Sequence, residues 1–133
     1  METRFKKWVK PVIKDGKLSK WNWMVQYPKG LKMGKFVDIG AFTYINAANG
    51  VEIQDNVEIG SHCSIYSKST IDHKDGKIVL EKNCKIGTHS VIMPGVKIGE
   101  NTVIGAFSFV NKDMPANVVA FGVPAKIVRK LNQ

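Results

Sequence analysis

A branched aliphatic residue recurs every six positions through most of this chain, and that period constrains the fold more than any other feature. An α-helix repeats its buried side about every 3.6 residues and a strand repeats it every second residue, so neither produces a period of six. A six-residue period is typical of a β-helix, in which short strands coil around one narrow core. The positions that share the period, in three runs, are Ile39, Ile45, Ile53, Ile59, Ile65, Ile71, Leu80, Ile86, Ile92, Ile98, Ile104 and Val110.

Three hexads make one triangular coil, so residues about eighteen apart are expected to stack in adjacent coils. On that register the small inward residues form columns, one of which contains Thr43, Cys63, Cys84 and Thr102. Cys63 and Cys84 are then neighbours, with backbones about 4.8 Å apart. Because a buried cysteine usually packs as a small apolar residue, we expect two buried thiols that form no disulfide.

Two insertions interrupt the period, after Ile45 and after Ile71. The second adds three residues on this register and falls at 72–77, in the sequence Asp-His-Lys-Asp-Gly-Lys. Insertions in repeat folds map to surface loops, often on the binding face. The loop at 72–77 is therefore the first candidate for chemistry.

The 133 residues are predicted to form one domain. Residues 1–36 are a basic capping segment, residues 37–115 are a β-helix of about four coils, and residues 116–133 are a loop and a short helix. That helix is expected to begin near Pro124, because proline favours the first turn and helix-compatible residues follow it. The aromatic residues of the first segment are expected to cover the open end of the coils, and they are Trp8, Trp21, Trp23 and Tyr27.

The net charge of +9 lies almost entirely in front of the repeats. Residues 1–35 hold ten basic against two acidic residues, and residues 36–133 hold ten against nine. Such a segment aids solubility, or it attracts phosphate on a cofactor, on a nucleotide-linked substrate or on an anionic membrane. Nucleic-acid binding is not expected, because no base-reading motif accompanies the charge.

The sequence predicts a cytoplasmic protein without a transmembrane segment. No apolar stretch approaches the roughly 20 residues that a membrane span needs. The first 20 residues carry no apolar core of a signal peptide, and two cysteines in such a chain are expected to stay reduced.

Two stretches near the C-terminus, 104–115 (Ile-Gly-Ala-Phe-Ser-Phe-Val-Asn-Lys-Asp-Met-Pro) and 122–126 (Gly-Val-Pro-Ala-Lys), resemble the C-terminal signature of hexapeptide-repeat acyltransferases. Residues 86–89 and 92–99 resemble the coil that precedes it in that family, and the similarity extends over residues 37–131. The resemblance implies an all-β, left-handed parallel β-helix. It also implies a homotrimer that binds acetyl-CoA in a groove between neighbouring subunits.

Within that family the chain is similar to galactoside, xenobiotic and nucleotide-sugar acetyltransferases. In the first two groups a loop histidine is the general base, and the sequence around His73 resembles its context. The resemblance also implies that Asn46 and Asp72 lie near the acceptor. The residues that it implies for acetyl-CoA are Thr88, Ala106 and Asn111 along the pantetheine, and Lys112, Lys126 and Arg129 near the phosphates.

The three histidines raise the alternative of a metal site, because the same fold supports zinc carbonic anhydrases that use three converging histidines. The eighteen-residue register puts His62 and His89 on different faces and His73 in the loop. No two of these histidines lie close together in sequence. We therefore expect no metal.

The sequence thus predicts an acetyl-CoA-dependent acetyltransferase with His73 as general base. Its acceptor is expected to be a hydroxyl or amine of a sugar, in particular an amino or nucleotide-linked sugar used for surface polysaccharide. A xenobiotic or antibiotic O-acetyltransferase is one alternative. A noncatalytic trimeric β-helix scaffold is another.

Overall fold

The computed structural model describes residues 7–132, an all-β solenoid with one 3-10 turn at Pro28–Gly30. Residues 1–6 of the predicted capping segment and residue 133 lie outside the described part. Within it, no helix has the length and apolar character needed to cross a membrane. The strands in chain order are β1 (Met24–Gln26), β2 (Leu31–Met33), β3 (Asp38–Ile39), β4 (Tyr44–Asn46), β5 (Val51–Ile53), β6 (Glu58–Ile59), β7 (Ser64–Tyr66), β8 (Lys68–Ser69), β9 (Lys74–Asp75), β10 (Ile78–Leu80), β11 (Lys85–Ile86), β12 (Val91–Ile92), β13 (Lys97–Ile98), β14 (Val103–Ile104), β15 (Phe109–Val110), β16 (Val118–Gly122) and β17 (Ala125–Lys130).

The strands stack into three sheets, and the chain visits the three in turn as it coils. Face A contains β1, β4, β7, β12 and β15, and face B contains β2, β5, β10 and β13. Face C contains β3, β6, β11, β14 and β16, with β17 added at its edge. All pairs within the coils are parallel, which confirms the predicted β-helix. The left-handed sense stays a prediction.

The stack has five coils, one more than predicted. A bridge between Ile98 and Met114 adds a fifth level to face B, and a first coil begins with β1 and β2, which lie inside the predicted capping segment 1–36. In that coil Val25 and Met33 align with Ile45 and Ile53 of the next. The six-residue period is hard to see there, because lysines and tryptophans surround these two positions.

The core is a set of columns in which each inward side chain lies over its equivalent in the next coil. The column of face A is fully buried and consists of Val25, Ile45, Ile65, Ile92 and Val110. Full burial of such a side chain stabilises the fold by about 1.5–3 kcal/mol relative to exposure. These columns are therefore the main source of cohesion between coils.

The predicted register is wrong at the second insertion. Ser64 pairs with Val91, 27 residues on, whereas Val91 pairs with Phe109, 18 residues on. The insertion is thus nine residues long, not three. Ile71 lies within it and is 95% exposed, so its predicted core position is also wrong. Its six-residue distance from Ile65 is a coincidence of the inserted sequence.

The corrected register also separates the two cysteines. The backbone N–H of Cys63 donates to Thr43 Oγ1 at 3.1 Å, whereas Cys84 lies on a different corner, beside Thr102. Both thiols are buried and free, which confirms the predicted unbridged cysteines, but they are not neighbours. Burial raises the pKa of Cys84 to about 12, and burial likewise raises the pKa of Cys63.

The predicted C-terminal helix is wrong. Residues after Pro124 form the strand β17, which pairs antiparallel with β16. A free edge of face C offers backbone partners there, and the β-branched pair Ile127 and Val128 favours a strand.

Aromatic residues close the N-terminal end of the stack. Trp23 is 3% exposed and belongs to the core. Trp8 packs on Phe36 and donates from Nε1 to the carbonyl oxygen of Val37 at 2.9 Å. Trp21 and Tyr27 are exposed, so two of the four predicted aromatic residues cover the end.

Candidate active site

The long insertion forms an antiparallel hairpin of β8 and β9 at the corner between faces A and B. Its loop is ordered locally: the Ser69 hydroxyl donates to Asp72 Oδ1, and the Lys74 ammonium lies 3.8 Å from Asp72 Oδ2. His73 follows with a left-handed backbone, φ 54°, and its side chain is exposed. The predicted loop histidine is therefore at the turn of a hairpin that leaves the coil stack.

The hydrogen bond from Ser69 is the main reason that the pKa of Asp72 lies below its ordinary value, with a further contribution from Lys74. The Asp72 carboxylate is accordingly ionised at neutral pH. A fixed negative charge thus lies next to His73 in sequence and in the same turn.

Asn46 lies at the base of the same hairpin. Its carbonyl oxygen accepts from the backbone N–H of Ser67 at 3.0 Å and from the Ser67 hydroxyl at 2.7 Å. The Ser67 carbonyl oxygen in turn accepts from Gly76 N–H at 2.9 Å, where the hairpin returns to the stack. The structure therefore links predicted residue Asn46 to the hairpin through the backbone.

Polar aromatic side chains surround Asn46 on the outer side of face A. Asn46 Nδ2 donates to Tyr44 Oη at 3.3 Å, Tyr44 Oη donates to Gln26 Oε1, and the Tyr44 and Tyr66 rings lie 5.5 Å apart. Partial burial raises the pKa of Tyr44 above its ordinary value. The sequence reasoning missed this cluster, although outward positions of paired strands could have identified it once the register was known.

Thr88 and Ala106 lie together at the corner between faces C and A. Ile86 pairs with Ile104, so Gly87 lies against the next corner, and a Cβ on Gly87 would lie 2.5 Å from the backbone nitrogen of Ala106. Only glycine permits this approach. The Thr88 hydroxyl donates to the carbonyl oxygen of Ser61 at 2.8 Å, which joins a third coil to the same corner.

A column of rings runs down this corner and was not predicted. Neighbouring ring centroids lie 5.4, 4.8 and 4.9 Å apart along Phe42, His62, His89 and Phe107. The expectation that His62 and His89 lie on different faces is therefore wrong, because it used the wrong register. A sequence signal existed: Ile-Gly-x-Phe or Ile-Gly-x-His occurs at 39–42, 59–62, 86–89 and 104–107.

The remaining predicted cofactor residues lie in two other places. Lys126 and Arg129 are exposed on β17. Lys126 pairs with Phe121 of β16, and the Phe121 side chain covers Gly105, the residue next to Ala106. Asn111 and Lys112 follow β15 and lie at the opposite end of face A, on the corner that carries the hairpin. Lys126 therefore lies near the corner of Thr88 and Ala106, Arg129 lies farther along β17 opposite Val119, and Asn111 and Lys112 lie apart.

His73 is in the hairpin, away from the stacked pair of His62 and His89. Among residues 7–132, no group of three or more His, Cys, Asp or Glu side chains has the arrangement of a metal site.

Residues 77–112 match the family described as "Bacterial transferase hexapeptide (six repeats)". The match is confined to this stretch, which is well under half of the chain. The repeat stretch contains Thr88, Ala106, Asn111 and Lys112, whereas His73 and β17 lie outside it. The family resemblance predicted from the sequence is confirmed.

The proteins that resemble this chain in sequence and in structure are acetyltransferases. The galactoside O-acetyltransferase of Lactococcus lactis is 37% identical over 114 residues, which cover 74% of this chain and 55% of that protein. A galactoside acetyltransferase in complex with coenzyme A superposes with a TM-score of 0.74 at 32% identity, over 83% of this chain and 60% of that one. An acetyltransferase of Vibrio cholerae complexed with acetyl coenzyme A superposes with a TM-score of 0.76 at 27% identity. That superposition covers 84% of this chain and 66% of the other.

The chain spans about half the length of this curated relative. The two structural matches confirm the fold, and both are to acetyltransferases solved with coenzyme A or acetyl coenzyme A bound.

Proposed function

We propose that this protein transfers the acetyl group of acetyl-CoA to a hydroxyl or amine of a sugar. The observation that carries the proposal is the hairpin with His73, which interrupts an otherwise regular stack of hexapeptide repeats. The names of the Lactococcus lactis relative and of the coenzyme A complex support a sugar hydroxyl. The basic N-terminal segment supports a phosphate-bearing acceptor such as a nucleotide-linked amino sugar used for surface polysaccharide.

In the proposed reaction an imidazole nitrogen of His73 removes the proton of the acceptor hydroxyl as that oxygen attacks the thioester carbonyl. The tetrahedral intermediate collapses, the carbon–sulfur bond breaks, and the imidazolium returns the proton to the sulfur of coenzyme A. Asp72, ionised and held by Ser69, stabilises the imidazolium while it carries the proton.

Asn46 is proposed to orient the acceptor. Its Oδ1 accepts from Ala48 N–H at 3.0 Å and its Nδ2 donates once to Tyr44. An amide has two N–H donors, so one donor is left for a sugar oxygen.

The cofactor is proposed to lie along the corner of Thr88 and Ala106, where the backbones of adjacent coils approach closely. Lys126 and Arg129 on the neighbouring strand supply positive charge for its phosphates. Asn111 and Lys112 lie at the far end of face A together with the hairpin. The site is therefore completed between copies of the chain, which supports the proposed homotrimer.

The test is release of free coenzyme A from acetyl-CoA with galactosides, amino sugars, nucleotide-linked sugars and antibiotics as acceptors. His73→Asn removes the base and keeps a residue that tolerates a positive φ. We expect it to lower kcat/KM about a hundredfold. The matched control is Lys68→Asn, a change to the same residue at an exposed position of the same hairpin and away from the proposed cofactor corner.

Turnover that survives His73→Asn would remove His73 as the base and leave the enzyme assignment intact. A thermal shift with acetyl-CoA gives an independent readout, because a ligand that binds the folded state stabilises it by mass action. No turnover with any acceptor and no shift would instead support the noncatalytic scaffold.

A further inference from the structure

The N-terminal end of the stack carries a second surface with its own chemistry. A cleft of about 610 Å³ opens between residues 7–23 and the first coil. Five exposed lysines line it, namely Lys7, Lys10, Lys14, Lys17 and Lys20. We call residues 7–21 the end surface.

Four apolar side chains of the end surface are exposed to solvent. The exposed fractions are 72% for Val9, 79% for Val12, 52% for Leu18 and 45% for Trp21. Closing the core does not require them, because Trp8 and Trp23 already cover the end of the stack. Clustered apolar side chains that the fold leaves in water indicate a surface that meets another apolar phase.

Lysines and exposed apolar residues alternate along the end surface, which holds five lysines and one acidic residue, Asp15, and belongs to the basic part of the chain. Residues 1–35 contain ten basic and two acidic residues, against ten and nine in the rest of the chain. The Lys20 ammonium lies 5.7 Å from the centre of the Trp21 ring, so charge and aromatic area are presented together. Long lysine side chains place their ammonium groups at lipid phosphates while their stems remain on apolar surface.

The cleft is poorly suited to orienting a small soluble anion. Apart from the lysines and the indole N–H groups of its tryptophans, its polar side chains are Ser19 and Asp38. The Ser19 hydroxyl oxygen already accepts from the backbone N–H groups of Trp21, at 3.2 Å, and Trp23, at 3.3 Å. A surface with positive charge and apolar area, but few groups that would hydrogen-bond a small anion in one orientation, is suited to an anionic amphiphile. Such a ligand offers negative charge and apolar area over a wide surface.

We propose that the end surface docks this protein on anionic phospholipid. Val9, Val12, Leu18 and Trp21 enter the headgroup region, and the five lysines contact phosphates. An apolar anchor with a polybasic cluster is the two-signal combination that peripheral membrane binding needs. Each lysine near an anionic surface contributes a factor of about five in affinity.

The test is co-sedimentation of the full chain with vesicles of phosphatidylcholine alone and with vesicles that also contain the anionic lipid phosphatidylglycerol. The triple variant Lys10→Gln, Lys14→Gln, Lys17→Gln should weaken binding to anionic vesicles about a hundredfold. The control triple Lys82→Gln, Lys85→Gln, Lys97→Gln removes the same charge from exposed positions on the sides of the stack and should change binding less than threefold. Thermal melting checks that both triples remain folded.

Trp21→Ser separates insertion from simple charge attraction. It should weaken binding to anionic vesicles several-fold without changing the net charge, and a blue shift of wild-type tryptophan fluorescence on vesicles should shrink in this variant. Equal losses in the two lysine triples would overturn the proposal, because attraction would then follow net charge alone. Absence of vesicle binding would overturn it as well. Binding of uridine diphosphate that the Lys10, Lys14 and Lys17 triple variant abolishes would in that case identify the cleft as a site for soluble phosphates.

Discussion

In the coil stack, each inward side chain lies over an equivalent one and is removed from water, whereas in the β8–β9 hairpin the side chains face solvent. Ile65 of the stack is fully buried and Ile71 of the hairpin is 95% exposed, although six residues separate them. The stack repeats the same coil of three short strands five times, whereas the hairpin is a long insertion in one of these coils. Cohesion and proposed chemistry therefore reside in different parts of the chain, which can be changed independently.

Polar residues differ between the two regions in the same way. In the stack, the Thr102 hydroxyl donates to the Pro115 carbonyl oxygen at 2.6 Å and accepts from Val118 N–H at 3.2 Å, so one buried side chain joins two coils. Within residues 7–132, no buried side-chain nitrogen or oxygen lacks a hydrogen-bond partner. In the hairpin, polar side chains are exposed and bond to each other, as Ser69 does to Asp72.

The largest effect is expected for isoleucine. Ile65→Ala leaves a cavity between Ile45 and Ile92 and should lower the free energy of unfolding by about 2–5 kcal/mol. Ile71→Ala, the matched change in the hairpin, should alter it by less than about 0.5 kcal/mol. Denaturant titration of both variants measures the difference, and equal losses would contradict the register that places Ile71 outside the core.

A matched pair of threonines gives a smaller effect. Thr102→Val keeps the shape and removes both hydrogen bonds, so it should cost about 1–3 kcal/mol of unfolding free energy. Thr70→Val in the exposed loop of the hairpin should be nearly neutral. If Thr102→Val were also neutral in a denaturant titration, the bridging role of buried hydroxyls between coils would be wrong.

The smallest effect is expected for the pH dependence of stability that the buried Cys84 thiol causes. Burial raises the pKa of Cys84 from 9.0 to about 12, so between these values the unfolded chain loses its thiol proton while the folded chain keeps it. Stability from this group is therefore complete below pH 9 and falls as the pH rises towards 12. The loss should reach about 1.4 kcal/mol at pH 10.

Cys84→Ala should abolish that part of the pH dependence, measured as the difference between the two proteins in unfolding free energy at pH 8 and pH 10. A thiol reagent at pH 8 should also label native protein slowly and denatured protein fast. Rapid labelling of the native protein would show that the stack does not exclude water from its thiols.

The fold could be predicted because isoleucines recur every six residues, a spacing that neither a helix nor a single strand produces and that a β-helix core requires. The register could not, because a nine-residue insertion that contains Ile71 imitates a hexad followed by a short loop. The C-terminal strand was missed for a different reason. Residues 125–130 combine helix-compatible Ala, Lys and Arg with the β-branched Ile127 and Val128, and the open edge of face C, a tertiary feature, decides for a strand.

The candidate site was predictable to the extent that it depends on sequence interruption. His73 was found because a loop breaks the period, and Asn46 is linked to the same hairpin in the structure. The column of Phe42, His62, His89 and Phe107 was missed because it depends on which corners stack, and hence on the register. Residues that are neighbours only across coils remain hidden until every insertion length is known.

The hairpin lengthens one coil from 18 to 27 residues, and the entropy of closing a loop grows only with the logarithm of its length. The added cost is about 0.4 kcal/mol, less than the loss from trimming one buried methyl group. A solenoid can therefore accept a longer or a different segment at this corner without unfolding. The proposed acceptor specificity can change here while the coils remain unchanged.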